Sequence, residues 1–338
     1  MPKSIRLARW LVFLLRVILA CSLLLAAWIS LLVMSPSKLP VVPYTFSIAP
    51  GDSLKGIARQ LADEQVIPNA WSFMLLAHVK GDQSSIKAGD YELTANLTPL
   101  QLLDYLVQGD VKRHEITFIE GWTFSQFRQI LDKHPALQHD ASGLSDLEIL
   151  RLIGAHETTA EGLFFPDTYF FRKNSSDIAI LKRAYQTMQR HLEAAWLARQ
   201  EPLPLQNPYQ GLILASIIEK ETGVESERRM IAGVFINRLR RGMKLQTDPT
   251  VIYGMGDKFD GNLRKTDLRT DHPYNTYTRF GLPPAPIAMP GLASIQAAFN
   301  PATTDALYFV ARGDGSSKFS ATLAEHNRAV LKYQKNRP

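Results

Sequence analysis

The sequence predicts an α+β protein in three parts: an N-terminal apolar helix, a small α+β module and a larger mixed α/β domain. Three observations predict it. An uncharged stretch near the start precedes about 300 residues of ordinary globular composition. Along those residues, strand-like alternation and helix-like spacing of apolar side chains take turns. A single cysteine, Cys21, leaves no disulfide framework and no Cys-based zinc site, so a packed core must hold the fold.

With 338 residues, 46% hydrophobic and 21% charged, the chain can bury such a core and is not disordered. The net charge of +6 suggests a polyanion partner, but Lys3, Arg6, Arg9 and Arg16 lie in the first 16 residues with no acid among them. Without those four the remainder carries +2, which excludes nucleic acid as the expected partner.

Residues 17–34, VILACSLLLAAWISLLVM, carry no charge. At the helical rise they span roughly 27 Å, close to a hydrocarbon core of about 30 Å. Two rivals are weaker. A cleaved signal peptide needs a shorter apolar core and a better cleavage site than SPSKLP. A lipoprotein box at Ile18-Leu19-Ala20-Cys21 has Arg16 too close before it. The expectation is a single-pass anchor in the cytoplasmic (inner) membrane. Its basic tail, 1–16, stays in the cytoplasm and the bulk of the chain is periplasmic or extracytoplasmic.

Residues 35–43, SPSKLPVVP, read as a linker. The small module, 44–112, reads as strand, helix, helix, strand, helix: an alternating TFSIA, a helix behind Asp52 or Ser53, a second from about Asn69 to Val79, a strand at Tyr91–Leu93, and a helix opened by Thr98-Pro99 and closed by Gly109. Residues 113–155 read as a connecting strand-helix region. HEITFIE alternates, Thr123 and Gln126 form a capping box flanked by Trp122 and Phe127, and a short helix covers about 146–153. The large domain, 156–338, opens with EGLFFPDTYFF, whose aromatics read as core or as a sugar-stacking platform. Helices follow at about 207–222 and 225–241, then a turn-rich polar stretch from Gln246 to Gly291. A hairpin of LYFVA and KFSAT around RGDGSS precedes a last helix from Glu325.

Phosphate-cradling glycine loops, zinc-binding His-Glu-x-x-His, a nucleophile elbow and a Ser-x-x-Lys at Ser216 are all absent from the sequence. LASIIEKETG, 214–223, instead brings carboxylates to the end of a nearly all-apolar helix. Leu214, Ile217 and Ile218 share a face from whose middle Glu221 projects, and Glu219 points the other way. A carboxyl against aliphatic surface keeps its proton to higher pH, as a general acid requires. Equally, Glu221 could end the helix and turn to solvent, with Gly223 as the stop. Downstream, Gln246, Thr247, Asp248, Tyr253, Asn275, Thr276 and Tyr277 sit among Pro and Gly turns. Such loops suit a neutral, hydroxyl-rich ligand such as a sugar chain, or a surface that satisfies its own backbone.

In combination these segments carry a resemblance. The order LASIIEKET, ERRMIAGVFINRLRRGMKLQTDPTVIYGMG, YNTYTRFGLPPAPIAMPG and LYFVARGDGSSKFSATLAEHN closely resembles the endolytic murein transglycosylase family, MltG or YceG-like. PGDSLKGIARQL resembles that family's LysM-like module, and IKAGDYEL, EGWTF and EGLFFPDTY follow in the expected order. The resemblance implies that 44–112 is a LysM-like module and 156–338 the catalytic YceG-like domain. It also implies a lytic transglycosylase that cuts the MurNAc–GlcNAc bond inside nascent peptidoglycan glycan strands and limits strand length, beside peptidoglycan synthases. Glu221 matches the family's catalytic glutamate, with Glu219 its competitor. Gln246, Thr247, Asp248, Tyr253, Asn275, Thr276 and Tyr277 are the expected substrate-binding set, and Asp248 is alternatively a turn-former before Pro249. Arg228 and Glu227 are expected as supporting partners, Glu225 and His272 as incidental, and Glu325, His326 and Asn327 match without a role. No metal or organic cofactor is expected. The reading from another class is a non-catalytic glycan-binding scaffold of wall synthesis.

Overall fold

The computed structural model describes residues 14–23, 28, 34, 36, 39, 42–109 and 114–335. Residues 14–23 are helical, and much of the expected span at 17–34 lies outside the described residues. Among the described residues no helix is long and apolar enough to cross a membrane. The chain gathers into two compact units, which divide between His114 and Glu115.

The first unit has the expected order. Strand β1 (Tyr44–Ile48) pairs antiparallel with β2 (Gly89–Leu93), with Phe46 opposite Tyr91. Helices α1 (Leu54–Asp63), α2 (Ala70–Lys80) and α3 (Pro99–Gln108) complete it. Each start is fixed by its N-cap: Ser53 accepts from Gly56 N, Asn69 from Ser72 N, and Thr98 exchanges a capping box with Gln101 behind Pro99. Gly109 closes α3 at φ 72°, the left-handed turn that favours glycine. Phe46, Leu61, Phe73, Tyr91 and Leu103 form this unit's own core.

The second unit holds everything from Glu115 onward, and it includes the segment read as a connector. Ile116, Phe118, Phe127 and Leu131 share one continuous core with Phe164, Leu214 and Ile218, so 115–155 packs as part of the large unit. Here β3 (His114–Thr117) pairs with β5 (Thr168–Phe171), and β4 (Leu137–Gln138) runs parallel to β6 (Ser175–Ser176). Thr123 caps α4 (Phe124–Asp132) through the expected box, and Trp122 meets Phe127 edge to face at 6.4 Å. Ser145 likewise caps α5 (Asp146–Ile153). The aromatics of 161–171 are core: Phe164, Phe165, Tyr169 and Phe171 are buried, and only Phe170 faces out.

Helix α6 (Asp177–Leu197) is 21 residues long and has no counterpart in the sequence reading. Its buried positions Ile180, Leu181, Ala184, Met188, Leu192 and Ala195 follow helical spacing, but the stripe is diluted by seven charged or amide side chains and Ser176 offers no side-chain cap. Next come α7 (Pro208–Glu221) and α8 (Arg228–Arg240), the two helices expected, with a short 3-10 turn at Glu225–Glu227 between them.

The stretch expected to be turn-rich contains regular structure. Asp248 and Pro249 open α9 (Asp248–Met255), α10 covers Lys265–Arg269, and α11 (Leu292–Phe299) follows. The sequence hides α9 because its start is a Thr-Asp-Pro run, which serves a turn and a helix start equally. Helix α11 packs on α7 at Gly211, where a Cβ would lie 2.0 Å from Phe299 Cζ. At the C-terminal end β7 (Tyr308–Ala311) and β8 (Ser317–Ser320) form the expected antiparallel hairpin. Thr322 and Glu325 make a capping box for α12 (Leu323–Val330), so that helix starts two residues earlier than expected.

Candidate active site

Helix α7 starts where Asn207 accepts from Gln210 N at 3.0 Å and Pro208 takes the first position. From Gly211 to Ile218 every residue is buried, so the helix is enclosed around its whole circumference and has no solvent face. Glu219 and Glu221 therefore leave its last turn in different directions into packed surroundings. Glu219, 7% exposed, accepts from Gly291 N at 3.0 Å and lies 3.7 Å from Arg228. Arg228 in turn donates to Ser294, and Glu120 stands close enough to Glu219 for the two charges to repel. Glu219 is thus committed to holding α7, α8 and the start of α11 together.

Glu221 opens into a cleft of about 630 Å³. One wall is Gln246, Asp248 and Tyr277, and the other is Arg238, Tyr308, His326 and Asn327. The Thr247 hydroxyl donates to Glu221 Oε1. Burial holds the Glu221 carboxyl above the usual carboxylate range and the Asp248 charge pushes the same way, while the Thr247 hydroxyl and the Arg238 guanidinium oppose them. The expectation that Glu221 sits against apolar surface and keeps its proton is met in direction, and a turn to solvent is not what the structure shows.

The expected binding residues divide by position. Gln246, exposed and left-handed at φ 48°, lines the cleft. Asp248 occupies the first position of α9, as a turn-former before Pro249 would, and also lines the cleft, where it accepts the Tyr277 hydroxyl at 2.5 Å along the same wall. Burial and Asp248 together raise the Tyr277 phenol well above its ordinary value, so it stays a donor. Thr276 is 2% exposed and faces inward. Its hydroxyl accepts from Thr247 N at 3.1 Å and meets Thr250 Oγ1 at 2.9 Å, while its carbonyl accepts from Gln246 N. Asn275, also 2% exposed, donates to the carbonyls of Asp267, Leu268 and Thr270 and accepts from Tyr277 N at 2.8 Å. Thr276 and Asn275 thus build the loop that presents Tyr277, and do not line the cleft.

Tyr253 is displaced from the expected set. Its hydroxyl donates to Glu161 Oε2 at 3.1 Å and its ring packs on Tyr274 at 4.9 Å, on the far side of α9 from Asp248. Residues 248 and 253 are five apart, about 500° of helical rotation, so a helix at 248–255 carries them to different faces.

Arg238, Tyr308, His326 and Asn327 were not expected in the cleft. Arg238 is 7% exposed, donates to Leu307 O and Leu245 O, and lies 5.2 Å from the Tyr308 ring centroid. His326 stacks on Tyr308 at 5.2 Å. The available signal was an arginine inside the apolar run of α8, but its acceptor at Leu307 lies 69 residues away in sequence. Glu227 supports the same wall by accepting from Ser317 N at 2.6 Å. The one metal-like grouping among the described residues, Asp132, His139 and Asp177, lies off the cleft, and Asp177 already accepts from Ala141 N and Ile178 N.

The geometry is that of a carboxyl opening into a cleft lined by hydrogen-bonding groups, with Arg238 and Asp248 as the charges beside it. The model of the YceG-like family matches residues 46–332. The chain belongs to the YceG-like family. The endolytic murein transglycosylase of Bacillus subtilis is 33% identical over 304 residues, 85% of this chain and 84% of the relative. An endolytic murein transglycosylase of Streptococcus pneumoniae is 26% identical over 326 residues, 86% of this chain and 58% of its own. Among solved structures, a YceG-like protein of Listeria monocytogenes superposes with a TM-score of 0.54 at 30% identity, over 84% of this chain and 98% of its own. In this YceG-like chain the motif segments therefore converge on one cleft, with Glu221 at its floor.

Proposed function

We propose that this YceG-like protein is a lytic transglycosylase that cleaves peptidoglycan glycan strands internally, with Glu221 as its acid and then its base. The observation that carries the reading is the half-buried Glu221 carboxyl, raised in pKa, opening into a cleft whose other charged groups, Arg238 and Asp248, are engaged by hydrogen bonds. The names of the B. subtilis and S. pneumoniae relatives support the substrate.

Protonated Glu221 gives its proton to the oxygen bridging MurNAc and GlcNAc as the anomeric C–O bond breaks. The carboxylate so formed takes the proton from the muramic C6 hydroxyl, whose oxygen bonds to the anomeric carbon and closes a 1,6-anhydro ring. Water is not consumed, and Glu221 ends as it began. Tyr277 and Gln246 offer a phenol and an amide to the sugar's hydroxyl and acetamido groups. A two-carboxylate glycosidase would need a second acid to act on water. Asp248 is the only other carboxylate on the cleft among the described residues, and it is engaged by Tyr277.

The rest of the reading concerns placement. The uncharged run at 17–34 behind four basic residues supports a single-pass anchor with the folded units outside the cytoplasm. From there the enzyme would meet nascent strands beside peptidoglycan synthases and set their length. The strand-helix-helix-strand-helix unit at 44–109 supports a LysM-like module.

The deciding experiment is mass spectrometry of strands digested by the full chain, beside Glu221→Gln. Anhydro-muramic ends from the parent alone are expected. Ends heavier by one water would make it a hydrolase, with Asp248 as the base for water. Strands bound but never cut would make it a scaffold.

A further inference from the structure

We infer that the outer face of the wall formed by the β7–β8 hairpin and α12 is a second substrate subsite, which takes the carboxylate-bearing peptide stems of the strand. This rests on the reading of peptidoglycan as substrate and adds to it a preference for strands that still carry peptide.

Helix α12 is two-faced. His326, Asn327 and Val330 line the Glu221 cleft, whereas Arg328, Ala329 and, one turn on, Lys332 line a separate groove of about 800 Å³. The hairpin divides the same way: Tyr308 to Ala311 and Ser317 face the cleft, and Arg312 and Lys318 the groove. The groove thus collects four cations, Arg312, Lys318, Arg328 and Lys332. Among the described residues none of the four has a carboxylate within ion-pair distance. Its two acids, Asp305 and Glu325, offset the cations only in part: Glu325 is turned back onto Ala321 N and Thr322 N as the helix cap while feeling the Arg328 charge, and four cations against two acids leave the lining positive.

A second observation points into the same groove. Ser320 is 4% exposed and lines it, yet its hydroxyl has no hydrogen-bond partner. A buried hydroxyl without a partner is costly, and it is satisfied when a ligand supplies an acceptor. Four cations and an orphan hydroxyl donor together select a ligand with several oxygen acceptors and negative charge.

The polymer supplies one. Each muramic residue carries a peptide through its lactyl group, and that peptide bears free carboxylates while the sugar backbone is neutral. The cleft, by contrast, holds one arginine, Arg238, which already donates to Leu307 O and Leu245 O. A stem of about four or five residues, extended at about 3.3 Å each, reaches roughly 13–17 Å, enough to cross a helix of about 10–12 Å diameter. A sugar seated beside Glu221 can therefore place its peptide over α12 and into the groove.

The test uses the full chain carrying Glu221→Gln, so that strands stay whole, and compares binding of stem-bearing strands with strands stripped of peptide by an amidase. Stem-bearing strands are expected to bind about tenfold more tightly at low salt, with the ratio shrinking as salt rises. Lys318→Glu with Arg328→Glu should bring the ratio to about one. Arg312→Gln with Lys332→Gln, on the same groove, replaces that pair if it does not fold. A ratio near one in the parent, or a ratio the variants leave unchanged, overturns the subsite. Loss of binding to phosphatidylglycerol vesicles with the strand ratio intact also overturns it, by giving the groove to lipid. Cleavage by the Glu221-containing parent is followed in parallel. A normal ratio without cleavage would sink the activity reading alone, and cleavage without a ratio would sink the subsite alone.

Discussion

Thr247 donates its hydroxyl to Glu221, and that single contact joins the N-cap of α9 to the last residue of α7. It favours the charged carboxylate, against burial and Asp248, which favour the acid. Replacing Thr247 with Val should raise the Glu221 pKa further. The alkaline limb of the cleavage-rate profile, where the acid is lost, then moves to higher pH, and the second step, where a carboxylate must form, slows. A profile measured on defined strands checks this; an unmoved alkaline limb would separate Glu221 from the rate.

Glu219 and Glu221 should fail in different ways. Glu221→Gln is expected to abolish cleavage with the fold intact. Glu219→Gln removes the charge beside Arg228 and weakens the bond from Gly291 N, a loss of roughly 1–3 kcal/mol for a buried charge-assisted contact. Cleavage per folded molecule should persist. Urea unfolding of each variant beside its turnover makes the comparison, and the reverse pattern would exchange the two roles.

Glu161 predicts a pH dependence of stability. Burial lifts its pKa from 4.5 to about 7, even though Phe124 N and the Tyr253 hydroxyl both donate to it, and the Asp146 charge adds to the rise. Because the folded value lies above the unfolded one, this contribution is complete below about pH 4.5 and is lost as pH climbs through about 7. At about 1.4 kcal/mol per unit the change is ~3 kcal/mol. Glu161→Gln should flatten that decline in denaturation midpoints measured from about pH 4 to about pH 8. An equal slope in parent and variant would place the titrating group elsewhere.

Gly211→Ala should loosen the floor of the site. Its Cβ would lie 2.0 Å from Phe299 Cζ, and Phe299 is fully buried. The ring must shift, at a cost of about 1–3 kcal/mol for an overpacked core. A melting temperature within a degree or so of the parent's would show that α7 and α11 can separate freely.

The sequence was most informative where a single side chain decides the local structure. Ser53, Thr98 and Thr123 each cap the helix expected behind them, since a cap is a contact over three residues. Helical rotation separated Glu221 from Glu219 for the same reason. What stayed hidden depends on distant partners. Asn275 and Thr276 have the composition of ligand-binding residues, and nothing local shows that the carbonyls at 267–270 and the backbone of Thr247 claim them. Tyr253 went to Glu161, 92 residues away, and Arg238 found its acceptor at Leu307.

Glu221 is the last residue of α7, and its partner Thr247 is the N-cap of α9. The carboxyl therefore lies between two helix ends of opposite polarity. The partial negative charge at the end of α7 favours keeping the proton, and the partial positive charge at the start of α9 favours the anion, each by about 0.3–1 kcal/mol. A group that must surrender a proton and then accept another gains from a balance that neither protonation state dominates. The two backbone contributions do not change with pH, and they act beside the opposed charges of Asp248 and Arg238.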